Sequence, residues 1–141
     1  MLKKRFLPAM VLVLGLAVIG CETSTDEPDN ISGYTFEFRV ENGTGGLGSN
    51  ITQFEIFNGP NTSSKVLSTG IINLPPGQVS DVYRVAGFTD RDGSDKRIYG
   101  VRITLDDGST QFGYSSATNG SKIIATARLF GAGLKFSIGT W

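Results

Sequence analysis

The chain has 141 residues, 13 basic and 13 acidic side chains, a formal net charge of zero, one Cys and no His. That length reads as a single domain, and the balanced charge offers no basic face for nucleic acid. The missing His excludes Ser-His-Asp and Cys-His catalysis and His-ligated metals, while one Cys makes neither an internal disulfide nor a Cys-based zinc site.

The chain opens on charge. Lys3, Lys4 and Arg5 precede an apolar run from Phe6 to Ile19, broken only by Pro8, Gly15 and Ala17. Positive flank, apolar core and small residue at the cut are the three parts of a secretory signal. The run is shorter than the roughly 20 residues that a membrane-spanning helix needs. It closes on Val18-Ile19-Gly20-Cys21. That tetrapeptide resembles the lipobox of bacterial lipoproteins: an aliphatic residue, a tolerated one, a small one, then Cys. The resemblance implies cleavage after Gly20, a diacylglyceryl group on the Cys21 thiol, and acylation of the new amino group with a chain such as palmitate. Each buried lipid methylene contributes about 0.8 kcal/mol, so two or more chains hold the protein without a transmembrane helix. Residues 1–20 are thus expected to be a signal peptide and the membrane a partner through the lipid.

Residues 21–32 read as a lipidated Cys and a flexible tether. Cys21 to Asn30 has no large apolar residue and carries Glu22, Asp26, Glu27 and Asp29. Such a segment cannot bury enough apolar area to order itself. Glu22 stands where some Gram-negative lipoproteins carry the Asp of an inner-membrane retention signal. The resemblance therefore implies the outer membrane, facing the periplasm or displayed at the surface.

From residue 33 to 141 the period is two. Tyr34, Phe36, Phe38 and Val40 alternate with Thr35, Glu37, Arg39 and Glu41; Phe54 and Ile56 with Gln53 and Glu55; Tyr99, Val101, Ile103 and Leu105 with Gly100, Arg102 and Thr104; Leu134, Phe136 and Ile138 with Lys135 and Ser137. Val82 to Phe88 is apolar on both faces except Arg84, and Ile123 to Phe130 reads as more fully buried. Asn42-Gly43, Asn58-Gly59-Pro60-Asn61, Pro75-Pro76-Gly77, Asn119-Gly120 and Gly131-Ala132-Gly133 supply turns, and Asp107-Gly108 predicts a hairpin with positive φ at Gly108. No helical stretch of ten residues follows the signal. Seven or eight short strands predict an all-β, antiparallel β-sandwich, Ig-like only in the loose sense because the immunoglobulin Cys pair is missing.

Two groups of residues carry candidate chemistry. Asp90-Arg91-Asp92-Gly93-Ser94-Asp95 places three carboxylates around a Gly. Asp90, Asp92 and Asp95 read either as Ca²⁺ ligands, since that ion takes six to eight oxygens, or as a strand-connecting turn, for which Asp and Gly are favoured by backbone geometry. The order is not that of an EF-hand and no bidentate Glu follows. The second group is aromatic. Phe57, Phe88, Phe112, Tyr114 and Trp141 do not all fit the inward registers. They read either as rings that stack on a glycan or as closures of the core. Asp106-Asp107 sit in a turn, so paired-carboxylate glycoside hydrolysis is a distant alternative. No catalytic residue and no required cofactor is expected. The expected function is non-catalytic display of the sandwich for binding or adhesion to a glycan, another polymer or an envelope protein; the second expectation is an outer-membrane assembly accessory that pairs through a strand edge.

Overall fold

A computed structural model of the chain describes residues 33–45, 48–93, 95–129 and 133–141. Residues 1–32, with the expected signal peptide, Gly20, Cys21 and the expected tether, lie outside the described residues. Eight strands are described: β1 (Tyr34–Asn42), β2 (Ile51–Asn58), β3 (Lys65–Ser68), β4 (Tyr83–Phe88), β5 (Arg97–Leu105), β6 (Thr110–Ala117), β7 (Lys122–Ala127) and β8 (Lys135–Ile138), with no helix among the described residues.

They form two four-stranded sheets, in the orders β4-β1-β7-β8 and β3-β2-β5-β6. Inward side chains of each sheet meet those of the other: the rings of Phe36 and Phe38 on β1 lie 5.6 and 5.4 Å from Tyr99 on β5. The fold is the all-β sandwich that the alternation predicts. All neighbouring strands pair antiparallel except β1 and β7, which run parallel from Glu37↔Lys122 to Asn42↔Ala127. A parallel pair cannot be closed by a hairpin, and here the whole chain between the two strands makes the connection. In immunoglobulin domains the first, second, fifth and fourth strands share a sheet. This order is different, so the likeness stops at two packed layers.

Three departures from strict alternation shape the core. Val85 and Phe88 both face inward although three residues apart. A register shift between β1 and β4 makes this possible, and Gly87 carries the positive φ of 100° that the bulge demands. A second shift, between Ile51 and Gln53 on β2, turns Ile51 and Phe54 inward together. The third is on β7: only Ile123, Ala125 and Ala127 are buried, Ile124 and Thr126 are half-buried, and the strand ends at Ala127. The sequence reads as burying both faces of this segment more fully than those of the other strands. Its second face instead lies on the outside of the sheet, covered only in part by neighbouring side chains.

The core draws Phe36, Phe38 and Val40 from β1, Phe54 and Ile56 from β2, and Tyr99, Val101, Ile103 and Leu105 from β5, with Val85, Phe88, Ile123 and Ala125 beside them. Burial pushes the Tyr99 phenol up to about 12, against a smaller downward pull from a hydrogen bond with Ser115. Asn42, expected as a turn residue, is instead fully buried at the end of β1. Its Nδ2 donates to Ser49 O and Leu74 O, both at 2.8 Å. Its Oδ1 accepts from Thr44 Oγ1 at 2.6 Å and from Thr44 N–H at 3.2 Å.

Candidate functional site

Because Tyr99, Val101 and Ile103 point into the core, Ile98, Gly100 and Arg102 point out of the β3-β2-β5-β6 sheet. The register places Phe57 and Tyr114 on either side of Gly100, and Glu55 and Phe112 on either side of Arg102. Three of the five aromatic candidates, Phe57, Phe112 and Tyr114, therefore share this outer face. They are not equivalent. Phe57 has no exposure, Phe112 is half-buried, and Tyr114 is 59 % exposed. The Phe112 ring leans over Gly100: a Cβ there would meet its Cζ at 3.0 Å. With no side chain in the way, Phe112 reaches edge-on to Phe57, with centroids 6.1 Å apart. Phe57 is thus the floor, Phe112 the wall and Tyr114 the accessible ring.

The other two aromatic candidates are elsewhere. Phe88 is fully buried in the core, its ring 4.6 Å from that of Phe36, and has taken the closing role. Trp141 covers the outer side of the opposite sheet, 5.1 Å from the Arg39 guanidinium and 5.8 Å from Lys122 Nζ. Among the described residues, the buried Trp141 Nε1 and Arg39 Nε have no hydrogen-bond partner.

Beside Tyr114 the face opens into a shallow groove of about 310 Å³ lined by Asp92, Ile98, Tyr114, Ser115 and Ser116. Asp92 comes from the loop with the three carboxylates and accepts a 2.6 Å bond from Ser116 Oγ. That loop is closed by backbone bonds, Asp92 N–H to Lys96 O at 3.2 Å and Ile98 N–H to Asp90 O at 2.8 Å. The Asp90 N–H donates to Asn58 Oδ1. Among the described residues no group of three or more His, Cys, Asp or Glu side chains is gathered so as to hold a metal ion, and Asp90, Asp92 and Asp95 are all described. Asp107, at the β5–β6 hairpin, accepts bonds from Ser109 Oγ and Ser109 N–H, which hold its carboxyl below the usual range. The hairpin forms as expected, with Gly108 at φ 81°.

Glu55, on the same face, has no sequence signal that sets it apart from the other polar residues of its alternating strand. It is only 5 % exposed. One carboxylate oxygen pairs with Lys65 Nζ, and the other takes both Nε, at 2.6 Å, and Nη2 of Arg102. Arg102 also lies over the Phe57 ring at 5.5 Å. Burial alone would push the Glu55 carboxyl up, but the hydrogen bonds and charges of Lys65 and Arg102 outweigh it and hold the carboxyl below its ordinary value. A carboxyl lowered in the folded state stabilises the fold above its unfolded pKa and loses that contribution as pH falls through the folded value. Glu55→Gln is therefore expected to cost about 2 kcal/mol at pH 7, less than a fully buried pair because both cations can rehydrate. Below the ordinary carboxylate range the gap to the wild type should close. Thermal melts across pH 7 to 2 test this; a gap that is constant with pH would contradict it.

No protein-family model matches the chain, and neither a curated protein nor a solved structure matches it.

Proposed function

We propose that the chain is a non-catalytic, lipid-anchored protein of the bacterial outer membrane, facing the periplasm or the cell surface, that displays its β-sandwich to bind a polymer. The lipobox at Val18-Ile19-Gly20-Cys21 supports the anchor. The observation that carries the binding reading is the outer face around Tyr114. An exposed ring lies beside a half-buried one, with Ile98 next to them and the Asp92 carboxylate and the Ser116 hydroxyl at the rim. A ring face takes the C–H side of a sugar, while a carboxylate and hydroxyls take its O–H groups. Glycans are therefore the polymer class this chemistry fits best. Protein assembly through a strand edge is the second reading, favoured by β6, an edge strand with no charged residue.

The test has two arms. On a glycan array, residues 33–141 should bind, and Tyr114→Ala should weaken that binding about tenfold with unchanged melting, the loss expected for one aromatic contact. Ile71→Ala, at a side chain 95 % exposed and not among those that line the groove, should leave binding intact. Failure of every glycan to bind, or equal loss in both variants, would refute the binding reading. In membrane fractionation, Cys21→Ala should release the chain from the membrane; unchanged membrane association would refute the anchor.

A further inference from the structure

We infer that Asn119-Gly120 is a site of spontaneous covalent modification, at which the chain loses the Asn119 side-chain amide as ammonia and acquires an aspartyl or isoaspartyl residue. The sequence has three Asn-Gly pairs, Asn42-Gly43, Asn58-Gly59 and Asn119-Gly120. Asn is a chemically labile residue, and a following Gly screens its own backbone nitrogen least because it has no Cβ. In the reaction that nitrogen loses its proton and attacks the Asn Cγ. An N–Cγ bond forms, the Cγ–Nδ2 bond breaks, and ammonia carries the proton away. Water then adds to either carbonyl of the cyclic imide. One opening leaves Asp; the other routes the backbone through the side-chain methylene and leaves isoaspartate. Water is the co-reactant, and nothing is oxidised or reduced.

The fold treats the three pairs differently. Asn42 is fully buried, and its side-chain amide makes four hydrogen bonds. Asn58 is half-buried. Its Nδ2 donates to Thr89 Oγ1 at 2.8 Å, and its Oδ1 accepts from the N–H groups of Thr89 at 3.0 Å and Asp90 at 3.1 Å. Gly59 is buried, and its N–H donates to Ile98 O at 3.1 Å. At both positions the leaving nitrogen is held. Several bonds must break together before Cγ can turn to the nitrogen of the next residue.

Asn119 and Gly120 are both exposed, at the centre of the turn between β6 and β7 that Ser121 N–H closes onto Thr118 O at 3.2 Å. The Asn119 side chain has one bond, from Thr35 N–H to its Oδ1 at 2.9 Å, and its Nδ2 has no partner among the described residues. That bond can persist through the attack: Oδ1 gathers negative charge as the nitrogen approaches, and a fixed N–H aimed at it stabilises such charge. Gly120 N–H donates to Thr35 O at 2.9 Å. Opening this contact is the step that admits reaction, and exposed turns lie at the low end of local opening free energies. An isoaspartyl product would insert a methylene into the backbone just before Ser121. The Ser121 C=O accepts Glu37 N–H at 3.0 Å, where the parallel β1–β7 pairing begins.

The inference stands apart from the anchor and the binding readings. Peptide mapping by mass spectrometry, on the full chain aged at mildly alkaline pH, tests it. In the folded protein Asn119 should be deamidated at least about tenfold faster than Asn42 or Asn58, because each bond that must break lowers the reactive population. Its product should be a mixture of aspartyl and isoaspartyl peptides. In denaturant all three pairs should react at similar rates, since only the fold separates them. An Asn119 that stays intact in the folded protein, or is matched there by Asn42 or Asn58, would overturn the inference. So would a preference for Asn119 that persists in denaturant, which would place its cause in the local sequence.

Discussion

Phe36→Ala should lower the free energy of unfolding by about 3–5 kcal/mol, the range for deleting a buried aromatic side chain that its surroundings cannot replace. The site explains why the upper part of that range applies. Phe36 has no exposure, and its ring meets four others: Phe88 at 4.6 Å, Tyr99 at 5.6 Å, Phe38 at 6.1 Å and Tyr34 at 6.4 Å. Tyr99 belongs to the facing sheet, so the lost ring is part of what joins the layers. Around it, Phe38 and Phe88 are themselves fully buried and packed against other rings, which limits collapse into the vacancy. For a domain of about a hundred residues the melting temperature should fall by roughly 15 °C or more. Phe36→Leu, which keeps most of the volume, should cost about 1.5 kcal/mol. A loss below about 1 kcal/mol in Phe36→Ala would mean that this ring cluster is not the centre of the core.

Asn42→Ala should cost about 3 kcal/mol, more than its small loss of apolar contact can account for. The side chain donates two bonds and accepts two, and it is the only group that ties the end of β1 to both Ser49 and Leu74 among the described bonds. Its backbone adds to the same junction, with Asn42 N–H to Gln78 O at 2.9 Å and Gly77 N–H to Asn42 O at 2.7 Å. Removing the amide leaves the Thr44 N–H without its acceptor and takes a donor from Ser49 O and from Leu74 O, the latter keeping the Ile51 N–H at 3.0 Å; each group left orphaned costs about 1–3 kcal/mol. Asn42→Asp separates this account from simple packing, because the shape is kept. An ionised Asp still accepts from Thr44 but presents a negative charge to two carbonyl oxygens. It should be at least as damaging as Ala at pH 7 and should recover in part at low pH, where a protonated carboxyl donates again. Chemical denaturation of the three proteins at two pH values decides this. A pH-independent Asn42→Asp would leave the hydrogen-bond account without support.

The strands that the sequence made legible are those with one buried and one open face. β1 alternates from Phe36 to Asn42 without interruption, and the Asp107-Gly108 turn between β5 and β6 states its own φ requirement. β3 has no alternation from which to read its bounds, because Lys65–Ser68 is four residues long within a Ser- and Thr-rich stretch, with half-buried rather than buried apolar residues. Of the candidate site, the ring types were readable but not their fates. Phe88 looked like an odd ring because a period of two sends it outward; the bulge at Gly87 sends it in. Glu55 looked like an ordinary solvent-facing residue of an alternating strand. It is buried because Lys65, Arg102 and Phe57 close over it, and none of these is its sequence neighbour except Phe57, two positions on.

By itself, the sequence determined the all-β class and the positions of most strands and turns, and it carries the tetrapeptide Val18-Ile19-Gly20-Cys21 on which the proposed anchor rests. Each of these depends on residues a few positions apart, whose geometry the local chain sets. Only the tertiary structure decided the parallel β1–β7 pairing, the two strand orders, the buried Asn42 junction and the gathering of Phe57, Phe112, Tyr114 and Asp92 on one face. Those depend on which strand lies beside which and in what register. Register comes from long-range burial and bulges, and a shift of one residue would turn every side chain of a strand to the opposite face.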